Sequence, residues 1–222
     1  DGVIMDSIWS AVEVIPQLSR VVLVSNHRYA AQFTRWAQQR GLAIRVVDNG
    51  TTANETRLGA IRDLQLGLKH VGRQDDVLVL GTDNLFGWSL ADVVQTAGKR
   101  RRAVTIALRK ARSLEEAKSC GVVSMDRAGR ITRCVEKPAK PFSLTVSLCV
   151  YYIPPSCRPR IQEFIRSGGN VDAPGYFIEW LVTHGTAYGY LAHGEWSDIG
   201  SLEAYHHVVK HWDELKGELQ HA

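Results

Sequence analysis

Apolar positions recur along this chain at two periods, and the switch between them marks the elements. Ile4, Ile8, Val12 and Ile15 fall on one helical face and Pro16 closes the run, which predicts a helix over Val3–Ile15. Val21–Ser25 is a short apolar strand. Phe33, Trp36 and Ala37 then mark a helix over Tyr29–Arg40 with Gly41 as its stop, and Ala43–Val47 predicts a second strand. The polar loop Asp48–Arg57 leads through Leu58, Gly59 and Ala60 into a helix carried by Ile61, Leu64 and Leu68. Next comes VLVLGTDNLF, Val77–Phe86, where branched apolar residues run straight into Gly81, Thr82, Asp83 and Asn84. This predicts a central strand buried on both faces that stops at a polar turn, with Asp83 at its carboxyl end.

The second half is less regular. Leu90–Thr96 reads as a helix and Ala103–Leu108 as a strand, and Ser113 with Glu116 forms a capping box for a short helix. Gly121–Met125 and Ile131–Glu136 flank the turn DRAGR and predict a hairpin; Thr145–Ile153 is β-rich up to Pro154 and Pro155. Helices over Arg160–Ser167 and Tyr176–His184, a strand over Tyr188–Ala192, the loop HGEWSDIG and a helix from Leu202 to about Trp212 complete the chain. Strand and helix alternate through the first half, so the fold class is α/β with a mixed, mainly parallel central sheet and helices on its faces. With 222 residues, 45% of them hydrophobic, and no internal repeat or linker, residues 1–222 are read as one domain.

Charge and cysteine usage narrow the partners. A net charge of +4 and a pI near 8.9 are mildly basic, and the one dense cluster, Lys99–Arg102, has no interleaved aromatics of the kind a nucleic-acid groove uses. A phosphorylated small molecule fits that balance, and nucleic acid is not expected. Cys120, Cys134, Cys149 and Cys157 form no CxxC pair, which points to free thiols in a reducing, cytoplasmic setting. No apolar run reaches the roughly 20 residues of a membrane span, and no signal-peptide pattern opens the chain.

Three motifs in order carry a family resemblance: GTDN at Gly81–Asn84, GVVSMDRAGRITRCVEKP at Gly121–Pro138 and GEWSDIGSLEAY at Gly194–Tyr205, with RLGAIRDL at Arg57–Leu64 as a fourth landmark. Each is short, but their order and spacing over nearly the whole chain resemble the sugar-phosphate nucleotidyltransferases, of the glucose-1-phosphate thymidylyltransferase type. The resemblance implies a Rossmann-like three-layer α/β/α nucleotidyltransferase fold. It also implies transfer of a nucleotidyl group from a nucleoside triphosphate to a sugar 1-phosphate, giving an NDP-sugar and pyrophosphate. Asp83 and Asp198 match the family's magnesium ligands, and Mg2+ is the implied cofactor. Lys137 matches the lysine that meets the sugar phosphate. Glu136, Gly121 and Asp172 fall in the implied sugar pocket, and Gly59 beside the nucleotide base. A homo-oligomer is compatible with the family; the base and the sugar are left open.

Taken singly, these residues have plainer readings. Lys137 and Glu136 can be an exposed strand end, Asp198 a helix cap competing with Ser201, and Trp196 a packing residue. Three departures from the family pattern bear on activity. Thr82 and Cys149 stand where glycines are usual, and nothing in the chain matches the family's N-terminal Gly-Gly-x-Gly-Thr-Arg loop. Because the chain opens on Asp1 rather than Met, a truncated enzyme is the first expectation. A catalytically silent, sugar-nucleotide-binding regulatory relative is the alternative. A glycosyltransferase is disfavoured, since Thr82, Asp83 and Asn84 stand where an Asp-x-Asp pair is wanted.

Overall fold

The computed structural model describes residues 4–200 together with Glu203, Tyr205 and His206. The closing helix predicted from Leu202 onward therefore lies largely outside the described residues. The chain runs α1 (Ile4–Glu13), β1 (Val21–Ser25), α2 (His27–Gln39), β2 (Ile44–Asp48), α3 (Ala60–Gly67), β3 (Val77–Leu80), β4 (Asn84–Phe86) and α4 (Leu90–Gly98). It continues through β5 (Val104–Lys110), α5 (Leu114–Ala117), β6 (Gly121–Met125), β7 (Ile131–Glu136), β8 (Thr145–Ile153), α6 (Pro159–Arg166), α7 (Pro174–His184), β9 (Ala187–Leu191) and β10 (Trp196–Asp198).

Six strands form the main sheet around β8, which pairs antiparallel with β3, β5 and β6; β7 lies antiparallel outside β6, and β9 pairs parallel to β5. It follows that β3, β5, β6 and β9 share one direction while β7 and β8 oppose it. The sheet is mixed, with a majority direction, and the antiparallel pairings concentrate on β8. β1 and β2 form a separate parallel pair.

Alternation along β8 assigns the layers. Leu148 and Val150 point into a cluster with Ile8 and Val12 of α1 and Leu90 and Val93 of α4. Tyr151 and Ile153 point into the opposite cluster with Ile61 of α3, Ile161 and Phe164 of α6, and Phe177 and Ile178 of α7. Helices thus cover both faces of the sheet, as a three-layer α/β/α arrangement requires. Val104, Ile106 and Leu108 of β5 are fully buried, each removing an aliphatic side chain from water at a gain of about 1.5–3 kcal/mol.

Two sequence expectations change. β3 is only partly buried along its length, not sealed on both faces, because Val77–Leu80 line an open cleft. β1 borders the same cleft through Val21–Val24, and among the described residues β1 pairs only with β2 and β3 only with β8. Beyond β3, the turn does not end in coil: Asn84–Phe86 and Trp196–Asp198, expected as turn and loop, are short strands that pair antiparallel with each other.

Candidate functional site

That cleft, of about 1080 Å³, brings Asp83, Gly121, Glu136, Lys137 and Asp198 to one place from the end of β3, the β6–β7 hairpin and β10. The carboxyl-end position of Asp83 follows from the strand: β3 stops at Gly81, whose N–H donates to the Cys149 carbonyl oxygen at 2.9 Å, and the chain then turns through Thr82. β4 and β10 form a two-stranded ribbon in which Asp198 pairs with Asn84, and the Ile199 N–H donates to the Asp83 carbonyl oxygen at 2.7 Å. The ribbon therefore fixes both aspartates together although 115 positions separate them in the sequence.

Both side chains remain accessible. Partial burial raises the Asp198 carboxyl above its ordinary value and the negative charge of Asp83 raises it further, while the hydrogen bond it accepts from the Gly200 backbone and the Lys137 ammonium pull it back. Two carboxylates that repel each other, with a lysine nearby, are residues that could hold a cation. Among the described residues no group of three or more His, Cys, Asp and Glu side chains gathers as a metal cage. A hard carboxylate pair is what magnesium uses when phosphate oxygens and water complete its shell.

A second group in the same cleft is built around Glu136. Burial, with the charge of Glu179, raises its carboxyl, against the lowering effect of Lys137. Its backbone N–H donates to Glu179 Oε2 at 3.0 Å. Two glycines make room for its side chain: a Cβ on Gly121 would lie 2.9 Å from Glu136 Oε2, and one on Gly175 would lie 1.7 Å from the same atom. Ser147 crowds the same position: its Oγ donates to the Gly121 carbonyl and would meet such a Cβ at 2.5 Å, so a side chain there would displace it. Lys137 follows in the left-handed region, at φ 46°, with its N–H bonded to the Cys120 carbonyl at 3.0 Å. That conformation costs about 1–2 kcal/mol for a residue with a Cβ and turns Lys137 out of the β7 register.

Gly59 and Asp172 lie elsewhere. They border a second depression of about 530 Å³ with Asn54, Glu55, Arg57, Leu58, Asn170 and Val171. Gly59 sits at φ 88° and a Cβ there would be 2.6 Å from the Val171 carbonyl oxygen, so the fold itself demands glycine at this position. Asp172 is engaged by Arg57 at 2.6 Å in a largely exposed ion pair.

The two departures near the site resolve differently. Thr82 is exposed on the turn. Cys149 lines the cleft beneath Gly81, and burial together with the Asp83 charge pushes its thiol up to about 12, so it stays protonated. Sequence reasoning missed Asn84 as more than a turn residue, and it missed Gly175, Ser147 and Glu179. Only Gly175, directly after Pro174 at the start of a helix, carried any local signal.

The sequence model of the nucleotidyl transferase family matches residues 4–214, and the chain belongs to that family. Among curated relatives, a glucose-1-phosphate adenylyltransferase of Desulfitobacterium hafniense strain DSM 10664 / DCB-2 is 29% identical over 135 residues, 60% of this chain. Its counterpart from strain Y51 is 28% identical over the same length. The chain's match spans about a third (34%) of the length of each of these relatives. A solved Bacillus anthracis structure assigned as a glucose-1-phosphate thymidylyltransferase, in complex with a sucrose, superposes with a TM-score of 0.76 at 15% identity. That superposition covers 92% of this chain and 80% of the other, and it establishes the fold.

Proposed function

We propose that this protein transfers a nucleotidyl group from a nucleoside triphosphate to a sugar 1-phosphate. The observation that carries the reading is the convergence of Asp83, Asp198, Lys137, Glu136 and Gly121 on one cleft. In the reaction an oxygen of the sugar phosphate attacks the α-phosphorus, a new P–O bond forms, the bond to the β-phosphate breaks, and pyrophosphate leaves with the electron pair. Such a reaction asks the protein for alignment and charge neutralisation, because the reacting groups are all anionic.

The residues divide that work. Asp83 and Asp198 would hold Mg2+, which when bound supplies positive charge to the triphosphate. Lys137, an exposed point charge turned out of its strand, pairs with the sugar phosphate. Glu136, held by Glu179 and threaded between two glycines, accepts hydrogen bonds from sugar hydroxyls. Gly59 and its loop border the adjacent depression, where the base can lie against the main chain.

Pyrophosphate release, followed over a panel of nucleoside triphosphates and sugar 1-phosphates with Mg2+, tests the reading. Turnover that disappears in Asp83→Asn supports it. No turnover with any pair, with NDP-sugar binding retained and no turnover when an N-terminal Gly-Gly-x-Gly-Thr-Arg segment is added, overturns it in favour of a silent binding relative.

A further inference from the structure

Asp83 is not left to find its own orientation. Its Oδ1 accepts a hydrogen bond from Asn84 Nδ2 at 2.5 Å, and Asn84 Oδ1 accepts one from Trp196 Nε1 at 2.8 Å. The Asn84 side chain is buried, only 4% exposed, so water does not replace either bond. An indole N–H can only donate. It therefore admits the carbonyl oxygen of Asn84 and not its NH2, and that choice leaves the NH2 aimed at Asp83. If the amide rotated by half a turn, an oxygen would face the carboxylate and two donors would face each other.

The indole is fixed in turn. The Arg109 guanidinium lies 4.5 Å from the centre of the Trp196 ring and pairs with Glu116, which also receives the Arg112 N–H at 2.5 Å. Arg109 is 12% exposed and its Nε is buried without a hydrogen-bond partner. That arrangement is explained if the group serves as a flat cationic face for the ring rather than as a fully satisfied fork. Burial would raise the Glu116 carboxyl, but the hydrogen bond from Arg109 and the one from Arg112 leave it below its ordinary value, so the clamp is ionised at neutral pH. Ser113 caps α5 through the Glu116 N–H at 3.1 Å, which anchors the clamp to a helix start.

We propose that Arg109, Trp196 and Asn84 are positioning residues that lock the polarity of the Asn84 amide and so hold the Asp83 carboxylate ready for a divalent cation. Trp196 sets the amide, and Arg109 with Glu116 sets Trp196. The inference rests on the reading of Asp83 as a cation ligand. It goes beyond that reading in assigning the cation affinity to a chain of contacts that ends in an ion pair on α5.

The test is Mn2+ binding to the full chain, followed by the free-ion electron paramagnetic resonance signal, for the parent, Asp83→Asn, Trp196→Phe and Arg109→Met. Trp196→Phe keeps the ring for Arg109 but removes the N–H. Partners of ligand residues typically change metal affinity by about 10–100-fold; the expected result is about tenfold weaker Mn2+ binding in Trp196→Phe and a smaller loss in Arg109→Met. The sugar 1-phosphate KM stays within twofold of the parent in both variants, a split that a general loss of structure would not give. Asn84→Leu, which leaves Trp196 intact and removes both amide hydrogen bonds at similar volume and no change of charge, covers the case of a Trp196 variant that fails to fold; it too is expected to weaken Mn2+. Mn2+ affinity within twofold of the parent in Trp196→Phe and Asn84→Leu, with binding lost in Asp83→Asn, overturns the positioning role alone. Unchanged binding in Asp83→Asn overturns the reading of the cation site and the inference with it.

Discussion

Two groups of residues in the cleft hold their carboxylates by opposite means. In one, Asp83 and Asp198 stay accessible while the residue that orients Asp83, Asn84, is buried. In the other, Glu136 is itself partly buried, with Glu179 bonded to its main chain and glycines cleared from its path. Under the proposed function the difference follows from what each group would meet. A cation with its phosphates would reach Asp83 and Asp198 from solvent, so those oxygens would need exposure and a fixed direction. A neutral sugar hydroxyl forms a useful bond only to a carboxylate sheltered from competing water, and shelter raises that carboxyl by desolvation.

Asp83→Asn strikes the first group hardest: it keeps the volume, removes the charge, and is expected to lower kcat by about 10³-fold. Pyrophosphate release at saturating substrate checks it, and a loss confined to KM would merge the two groups into one binding surface. In the second group Gly175→Ala places a methyl 1.7 Å from Glu136 Oε2. The side chain must move, so sugar 1-phosphate KM should rise about tenfold, with overpacking costing about 2 kcal/mol. For a chain of this size that lowers Tm by about 4–8 °C, measurable by thermal circular dichroism.

A smaller effect separates function from stability. Asp198 and Glu136 both have raised carboxyl values, from burial first and from neighbouring carboxylates. Their contribution to stability is fully present below the unfolded values near 3.8 and 4.5, and it is lost as pH rises through the raised folded values. At neutral pH the ligand-free protein therefore carries two ionised groups that it would hold better protonated. Asp198→Asn is expected to raise Tm at pH 7 by about 2 °C while removing cation-dependent turnover, with the gain shrinking toward pH 4. Thermal scans of parent and variant between pH 4 and 7.5 read the difference; a gain that grows on acidification would contradict it. The smallest effect is expected outside the cleft. The Arg57–Asp172 pair is 60% and 47% exposed and is worth at most about 1 kcal/mol. Asp172→Asn should leave Tm within about 3 °C and sugar 1-phosphate KM within twofold. A tenfold rise in KM would instead bring Asp172 into the sugar pocket, where the family resemblance puts it.

Much of the scaffold was legible because burial leaves a period. The hairpin Gly121–Met125 with Ile131–Glu136, and the long strand Thr145–Ile153, have the limits read from apolar runs and turn residues. The helices agree within a few residues, and where α2 starts earlier than expected the cause is Asn26, whose side chain accepts the Tyr29 N–H and caps the helix. Strands of three residues leave no period. Asn84–Phe86 begins with a residue that also favours turns, and Trp196–Asp198 is no longer than a turn itself, so neither could be told from coil. The capping box at Ser113 and Glu116 was visible, but its second use, as the clamp on Arg109, was not.

Side-chain periodicity and motif spacing are local, so the alternation of strands and helices, the residue types available for phosphate and sugar chemistry, and their order could be read from the chain alone. Tertiary structure decided which of those residues share a cleft, and that a side chain at Gly175 would have to displace Glu136. It also decided why Gly59 is a backbone requirement and how Trp196 reaches Asn84 across 112 positions. Those outcomes depend on where β8 seats the sheet and how the β4–β10 ribbon closes over it. Pairing between distant segments is set by the burial of the whole core, and no window of neighbouring residues contains that information.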